Sequence, residues 1–141
     1  MVHSNNDIFV VMSIGNGETW QHEVAVCKDA GDYASWTETY SGRISTEELR
    51  ETGTFSVTVK DLNVDGTHSV IGSADVNISP LFVRTNMWVE FDGDIKENRK
   101  TTGEYLVRLR YRDRMERPDK RSLHIRKISL SHIVHHGMDT H

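Results

Sequence analysis

Apolar and polar residues alternate with a period of two along much of the chain, and almost nowhere with the period of a helix. Residues 54–60 show this most plainly, with Phe55, Val57 and Val59 on one side and Ser56, Thr58 and Lys60 on the other. That is the pattern of a strand with one buried and one solvated face. In residues 105–112, Leu109 and Tyr111 point one way, and Arg108, Arg110 and Arg112 the other. Residues 7–14 form an apolar run ended by Gly15-Asn16-Gly17, and residues 19–27 alternate again. Asn-Gly between two such runs predicts a hairpin, because both residues tolerate positive φ. Further strands are predicted over residues 36–40, 70–78, 87–91 and 122–133. In the last, apolar parity shifts between Leu123/Ile125 and Ile128/Leu130, which predicts a bulge. Ser45-Thr46-Glu47-Glu48 has the spacing of a capping box and predicts one helical turn over residues 46–51. Short strands at this spacing predict an all-β, eight-stranded antiparallel sandwich or barrel, with Trp36 and Trp88 packed inside it.

A length of 141 residues fits one domain, and only 36% of residues are hydrophobic, consistent with a thin core under solvated outer faces. Cys27 is the single cysteine, so the chain has no internal disulfide and no cysteine metal site. The first seven residues lack the basic and apolar regions of a secretory signal, and no run approaches the ~18 apolar residues of a membrane span. The expectation is a cytoplasmic protein with no transmembrane segment and no nucleic-acid partner. The net charge of −4 conceals a division: residues 1–98 hold 6 Lys+Arg against 16 Asp+Glu, and residues 99–141 hold 11 against 5. Such asymmetry either neutralises itself within the fold or steers a partner of opposite sign. No nucleophile–base motif and no glycine-rich phosphate loop is present, so an enzyme is not expected. His135, His136 and His141 read as a terminal tail rather than a metal site.

Four segments, taken in order, resemble the C2 family of Greek-key β-sandwiches. Asp7-Ile8-Phe9-Val10-Val11 is similar to the family's Asp-Pro-Tyr-Val strand opening, with Ile8 at the proline position. Ser35-Trp36-Thr37-Glu38-Thr39-Tyr40 resembles its Asn-Pro-x-Trp-Asn-Glu-x-Phe segment. Val57-Thr58-Val59-Lys60-Asp61-Leu62-Asn63, followed by Gly66 and Val70-Ile71-Gly72, resembles its third-loop motif. Gly103-Glu104-Tyr105-Leu106-Val107-Arg108-Leu109-Arg110-Tyr111 resembles one of its last strands. The resemblance implies a single C2-like domain over residues 1–141, with its core in 7–112, a linker in 113–121, a returning strand in 122–134 and a tail in 135–141. Family members begin one or two strands before the Asp-Pro-Tyr-Val segment, and here residues 122–133 resemble that missing early strand. The expectation is a permuted domain whose C-terminal strand fills the slot ahead of residue 7, or a domain-swapped homodimer in which a second molecule supplies it.

The resemblance also implies where calcium binds in the family. Carried over by position, the loops keep Asp7 and Asp61, place Asn63 and Ser69 where aspartates are usual, and add Asp65 nearby; Asp139 is the only candidate for the remaining position. Ca²⁺ needs six to eight oxygens with several carboxylates among them, so this set implies weak calcium binding or none. The Arg108/Arg110/Arg112 comb, extended by Arg114, Arg117, Lys120 and Arg121, can line one strand face and grip phosphates or carboxylates. Val64, at the tip of the third loop, is a candidate for bilayer contact. Two functions are therefore expected of a non-catalytic module. One is peripheral binding to anionic phospholipid, largely without calcium, as in signalling or vesicle trafficking. The other is protein interaction or scaffolding without lipid, docking on a cytoskeletal or vesicle-trafficking partner.

Overall fold

A computed structural model describes residues 7–15, 20–113, 117 and 121–134. Its nine strands are β1 (Ile8–Ile14), β2 (Trp20–Glu23), β3 (Ala34–Trp36), β4 (Tyr40–Arg43), β5 (Thr54–Leu62), β6 (His68–Asn77), β7 (Val89–Glu97), β8 (Lys100–Arg112) and β9 (Ser122–Ser131). Two short helices, α1 (Thr46–Thr52) and α2 (Pro80–Val83), lie in the connections. All pairings are antiparallel and follow the order β2-β1-β5-β6-β7-β8-β9-β3, with β4 also on β9. The all-β antiparallel expectation thus holds. Among the described residues no helix is long and apolar enough to cross a membrane.

Nine strands form where eight were expected because the segment read as one strand at residues 36–40 is split. β3 pairs with Ile128–Leu130 of β9 and β4 with Ser122–Ile125, on either side of Lys127. Lys127 has a φ of 54°, and this is the predicted bulge: it lets Leu123, Ile125, Ile128 and Leu130 all face the core despite their change of parity. Ser45 caps α1 as predicted; its hydroxyl accepts from the Glu48 amide at 3.1 Å, and the Glu48 carboxylate accepts from the Ser45 amide at 3.4 Å. β1 and β2 pair as the hairpin pattern requires, while the Asn16-Gly17 turn between them lies outside the described residues.

The sheet is curled around one core, to which β1 contributes Ile8, Val10, Met12 and Ile14, β5 contributes Phe55, Val57 and Val59, and β8 and β9 contribute Leu109, Tyr111, Leu123 and Ile125. Two seams interrupt it. β6 and β7 share only the pair Ser73↔Lys96. β2 faces β4 through side chains: the His22 and Tyr40 rings meet at a tilt of 48° with centroids 4.4 Å apart, and the Trp20 indole lies over Gly42. A Cβ at Gly42 would overlap the Trp20 ring, so only glycine allows this close approach. The seams divide the strands into two groups, β2-β1-β5-β6 and β7-β8-β9 with β3 and β4. β9 does not pair with β1, whose two edges are taken by β2 and β5; its partners are β8, β3 and β4 of its own chain.

Candidate functional site

Strand direction sorts the expected site residues onto two ends. β1 runs away from Asp7, and β5 and β6 meet at residues 63–67, next to Asp7, as the bond from the Leu62 amide to the Asp7 carbonyl shows (2.8 Å). This loop end holds all five candidate calcium positions. β8 runs from there to Arg112 at the far end, where Asn86 bonds to Tyr111 (2.8 Å) and to Asp113 (3.0 Å). Val64, on the loop end, is therefore separated from the arginine comb.

At the loop end the polar groups hold the loops. The Asp61 carboxylate, almost wholly buried, accepts from the Asp7 amide at 3.0 Å. The Asp7 carboxylate accepts from the Asp29 amide at 3.0 Å. Asn63 donates to Thr67 Oγ1 at 3.0 Å and to Ser69 Oγ at 3.2 Å. Asp65 turns back on Thr67, accepting from its amide at 3.0 Å and its hydroxyl at 2.6 Å. The hydroxyl bond, then the amide bond, lower the Asp65 pKa from its ordinary value. Among the described residues no cluster of three or more His, Cys, Asp or Glu side chains is disposed to hold a metal ion. Asp139 lies outside the described residues.

The comb occupies the outer face of β8, because Val107, Leu109 and Tyr111 take the inner one. Pairing across strands brings in residues that were not anticipated. Arg108 stands between Glu90 and Arg126, Arg110 beside His124, and Arg112 beside Ser122, which also pairs with Arg43. Trp88, expected in the core, lies half-buried on this outer face: Val89 turns inward, so its neighbour turns out. The guanidiniums of Arg110 and Arg126 stand over the Trp88 ring, 4.5 Å and 4.1 Å from its centroid.

Charge compensation on this face is sparse. Arg108 pairs with Glu90 at 3.2 Å, a half-exposed contact of the kind that contributes about 0–1 kcal/mol. Among the described residues Arg110, Arg112 and Arg126 have no carboxylate partner, and Arg110 Nε is buried without a hydrogen bond. Burial first, then the charges of Arg112 and Arg126, lower the Arg110 pKa from its ordinary value. Arg121 pairs with Asp113 at 2.6 Å and so stands apart from the comb. Arg114 and Lys120 lie outside the described residues. Toward the loop end the same outer face changes sign: Asp92, Asp94 and Glu104, with Tyr33, Tyr105, Ser129 and Ser131, line a cleft of about 420 Å³.

Arg126 was legible as a charged residue between inward Ile125 and the bulge, but its register against Arg108 was not. Compared with protein-family models, with curated proteins and with solved structures, the chain matches none.

Proposed function

We infer that this chain is a non-catalytic, C2-like module that binds an anionic phospholipid surface through the outer face of β8 and β9. The observation behind this reading is the convergence of Arg108, Arg110, Arg112 and Arg126 beside Trp88, with Glu90 the one acidic side chain paired with them among the described residues. Like charges held this close repel one another, and an arriving phosphate relieves that repulsion while accepting from guanidinium forks. A basic patch near an anionic leaflet gains about 1 kcal/mol per charge. The two seams support the sandwich reading, since they divide the strands into two groups as two stacked sheets would be divided. Binding is independent of calcium or only weakly dependent on it, because Ca²⁺ needs several carboxylates and no cluster of three or more His, Cys, Asp or Glu side chains is disposed for a metal among the described residues. The site of action is then a cytoplasmic membrane surface.

Co-sedimentation with vesicles, with and without phosphatidylserine and with and without Ca²⁺, tests the reading directly. Binding is expected wherever phosphatidylserine is present, whether or not Ca²⁺ is added. Its absence under all four conditions would leave the alternative, a protein-interaction or scaffold module. The acidic half of the same face favours that alternative, because Asp92, Asp94 and Glu104 are repelled by an anionic bilayer but suit a partner protein of mixed charge.

A further inference from the structure

Between β6 and β7 the chain makes a short excursion, α2 and the turn after it, which ends at Trp88. Leu81 anchors this segment in the core, fully buried. Phe82 packs edge-on against Tyr111, with centroids 6.3 Å apart, under the Arg50 guanidinium at 5.1 Å. The turn is closed by bonds from the Arg84 amide to the Pro80 carbonyl and from the Met87 amide to the Arg84 carbonyl, each 3.1 Å. Asn86, at a φ of 68°, ties it to the end of β8 through Tyr111 and Asp113. In this well-held segment Val83 and Met87 nevertheless point outward, 87% and 58% exposed. They project from a turn closed by these backbone bonds.

Their surroundings indicate what covers them. Arg84 lies between them in sequence and lines a shallow cleft with Trp88, Glu90 and Arg108. Val83 and Arg84 line a second one with Pro80, Val89 and Phe91. Val83 thus borders the basic face through Arg84, and Met87 adjoins it as the chain neighbour of Trp88. Apolar tips, a tryptophan behind them and arginines behind that is the order in which a bilayer presents acyl chains, interface and phosphates. A protein partner would need an apolar pocket and an acidic rim in the same register, whereas an anionic bilayer presents both chemistries everywhere.

We propose that Val83 and Met87 insert into an anionic bilayer while Arg84, Arg108, Arg110 and Arg126 hold its phosphates, so that the α2–β7 turn docks the domain. This rests on the reading of the arginine face given above and adds the orientation: the α2–β7 turn faces the membrane and the loop end with Val64 faces away. Insertion depth is about 5–10 Å, that of an interfacial side chain.

The test uses the full chain and vesicles of phosphatidylserine and phosphatidylcholine in equal amounts. Val83→Ser with Met87→Ser is expected to weaken binding about tenfold or more, from the apolar area no longer buried. The loss should persist in about 1 M salt, where charge attraction is screened within about 3 Å. In a Cys27→Ser background, environment-sensitive fluorophores on Val83→Cys and Met87→Cys should shift to the blue and be quenched by spin-labelled lipid. The same label on Val64→Cys should stay in water. Binding that survives the double serine change, or labels at 83 and 87 that stay in water on bound vesicles, would overturn this inference alone and leave the arginine reading standing. Failure of the unmodified chain to bind these vesicles would overturn both. Equal circular dichroism of variant and parent excludes unfolding as the cause of any loss.

Discussion

At the loop end, Asp7, Asp61, Asn63, Asp65 and Ser69 are engaged with one another and with nearby amides; on the β8–β9 face, Arg110, Arg112 and Arg126 have no carboxylate among the described residues. Both regions are rich in functional-looking side chains. The difference lies in where their hydrogen-bonding and electrostatic demands are met. Polar groups that bond to each other and to nearby amides lower the energy of the loops. Cations gathered over one ring leave a demand that a ligand of opposite charge can meet. Residue type alone does not separate the two regions, whereas the pattern of hydrogen bonds and ion pairs does.

The largest contrast is expected from charge reversal. Changing Arg108, Arg110 and Arg112 together to Glu should reduce binding to phosphatidylserine vesicles at least about a hundredfold, given about 1 kcal/mol per basic charge near the surface. Unchanged co-sedimentation of that variant would move the site elsewhere. At the loop end the effects should fall on stability instead. Asp61→Ala removes the acceptor of the Asp7 amide from a nearly buried position, and should cost about 1–3 kcal/mol in denaturant unfolding. Vesicle binding by the same variant should be unchanged. A loss of binding with no loss of stability would erase the distinction between the two regions.

Two smaller changes sharpen it further. Trp88→Leu removes the ring beneath Arg110 and Arg126, and should weaken lipid binding about threefold to tenfold, since each such contact contributes roughly 0.5–2 kcal/mol. Tyr111→Phe tests the fold beneath the face. Burial raises the Tyr111 pKa above its ordinary value of 10.0, against the opposing bond to Thr46 Oγ1 at 2.6 Å. A raised phenol pKa in the folded state means stability that is complete below the ordinary value and lost as pH rises through the folded one. The parent protein should therefore lose stability above about pH 10, while Tyr111→Phe should lose about 1 kcal/mol at neutral pH and show a flatter alkaline limb. Parallel urea unfolding curves at neutral and alkaline pH give both quantities.

Much of the architecture was legible because strand periodicity is local. Phe55, Val57 and Val59 bury as their alternation requires, and the parity change in residues 122–131 marks the bulge at Lys127. The capping box at Ser45 and Glu48 is likewise complete within four residues. The arginine face was legible only in part. Arg108, Arg110 and Arg112 declared themselves by spacing, but Arg126, Trp88 and Arg43 join them through registers between distant strands, on which no short window bears. Trp88 illustrates the limit: its apolar bulk argued for the core, whereas the inward turn of Val89 sets it on the surface, where cations cover it. The engagement of Asn63 with Ser69 and of Asp61 with Asp7 was also invisible, because oxygen ligands and loop-closing acceptors have the same composition.

The meeting of Trp20 with Gly42 has a consequence for how the molecule comes apart. Backbone pairing joins every neighbouring pair in the strand order, down to the single pair Ser73↔Lys96 of β6 and β7, but β2 and β4 meet through side chains alone among the described residues. A boundary without shared amide bonds separates without breaking a ladder, so it is the natural line of first opening. Trp20 emission should then redden before the global transition, while the amide protons of β5 and β8 remain protected from exchange. The domain would behave as a clasped cuff, whose catch is one indole ring resting where a side chain is missing.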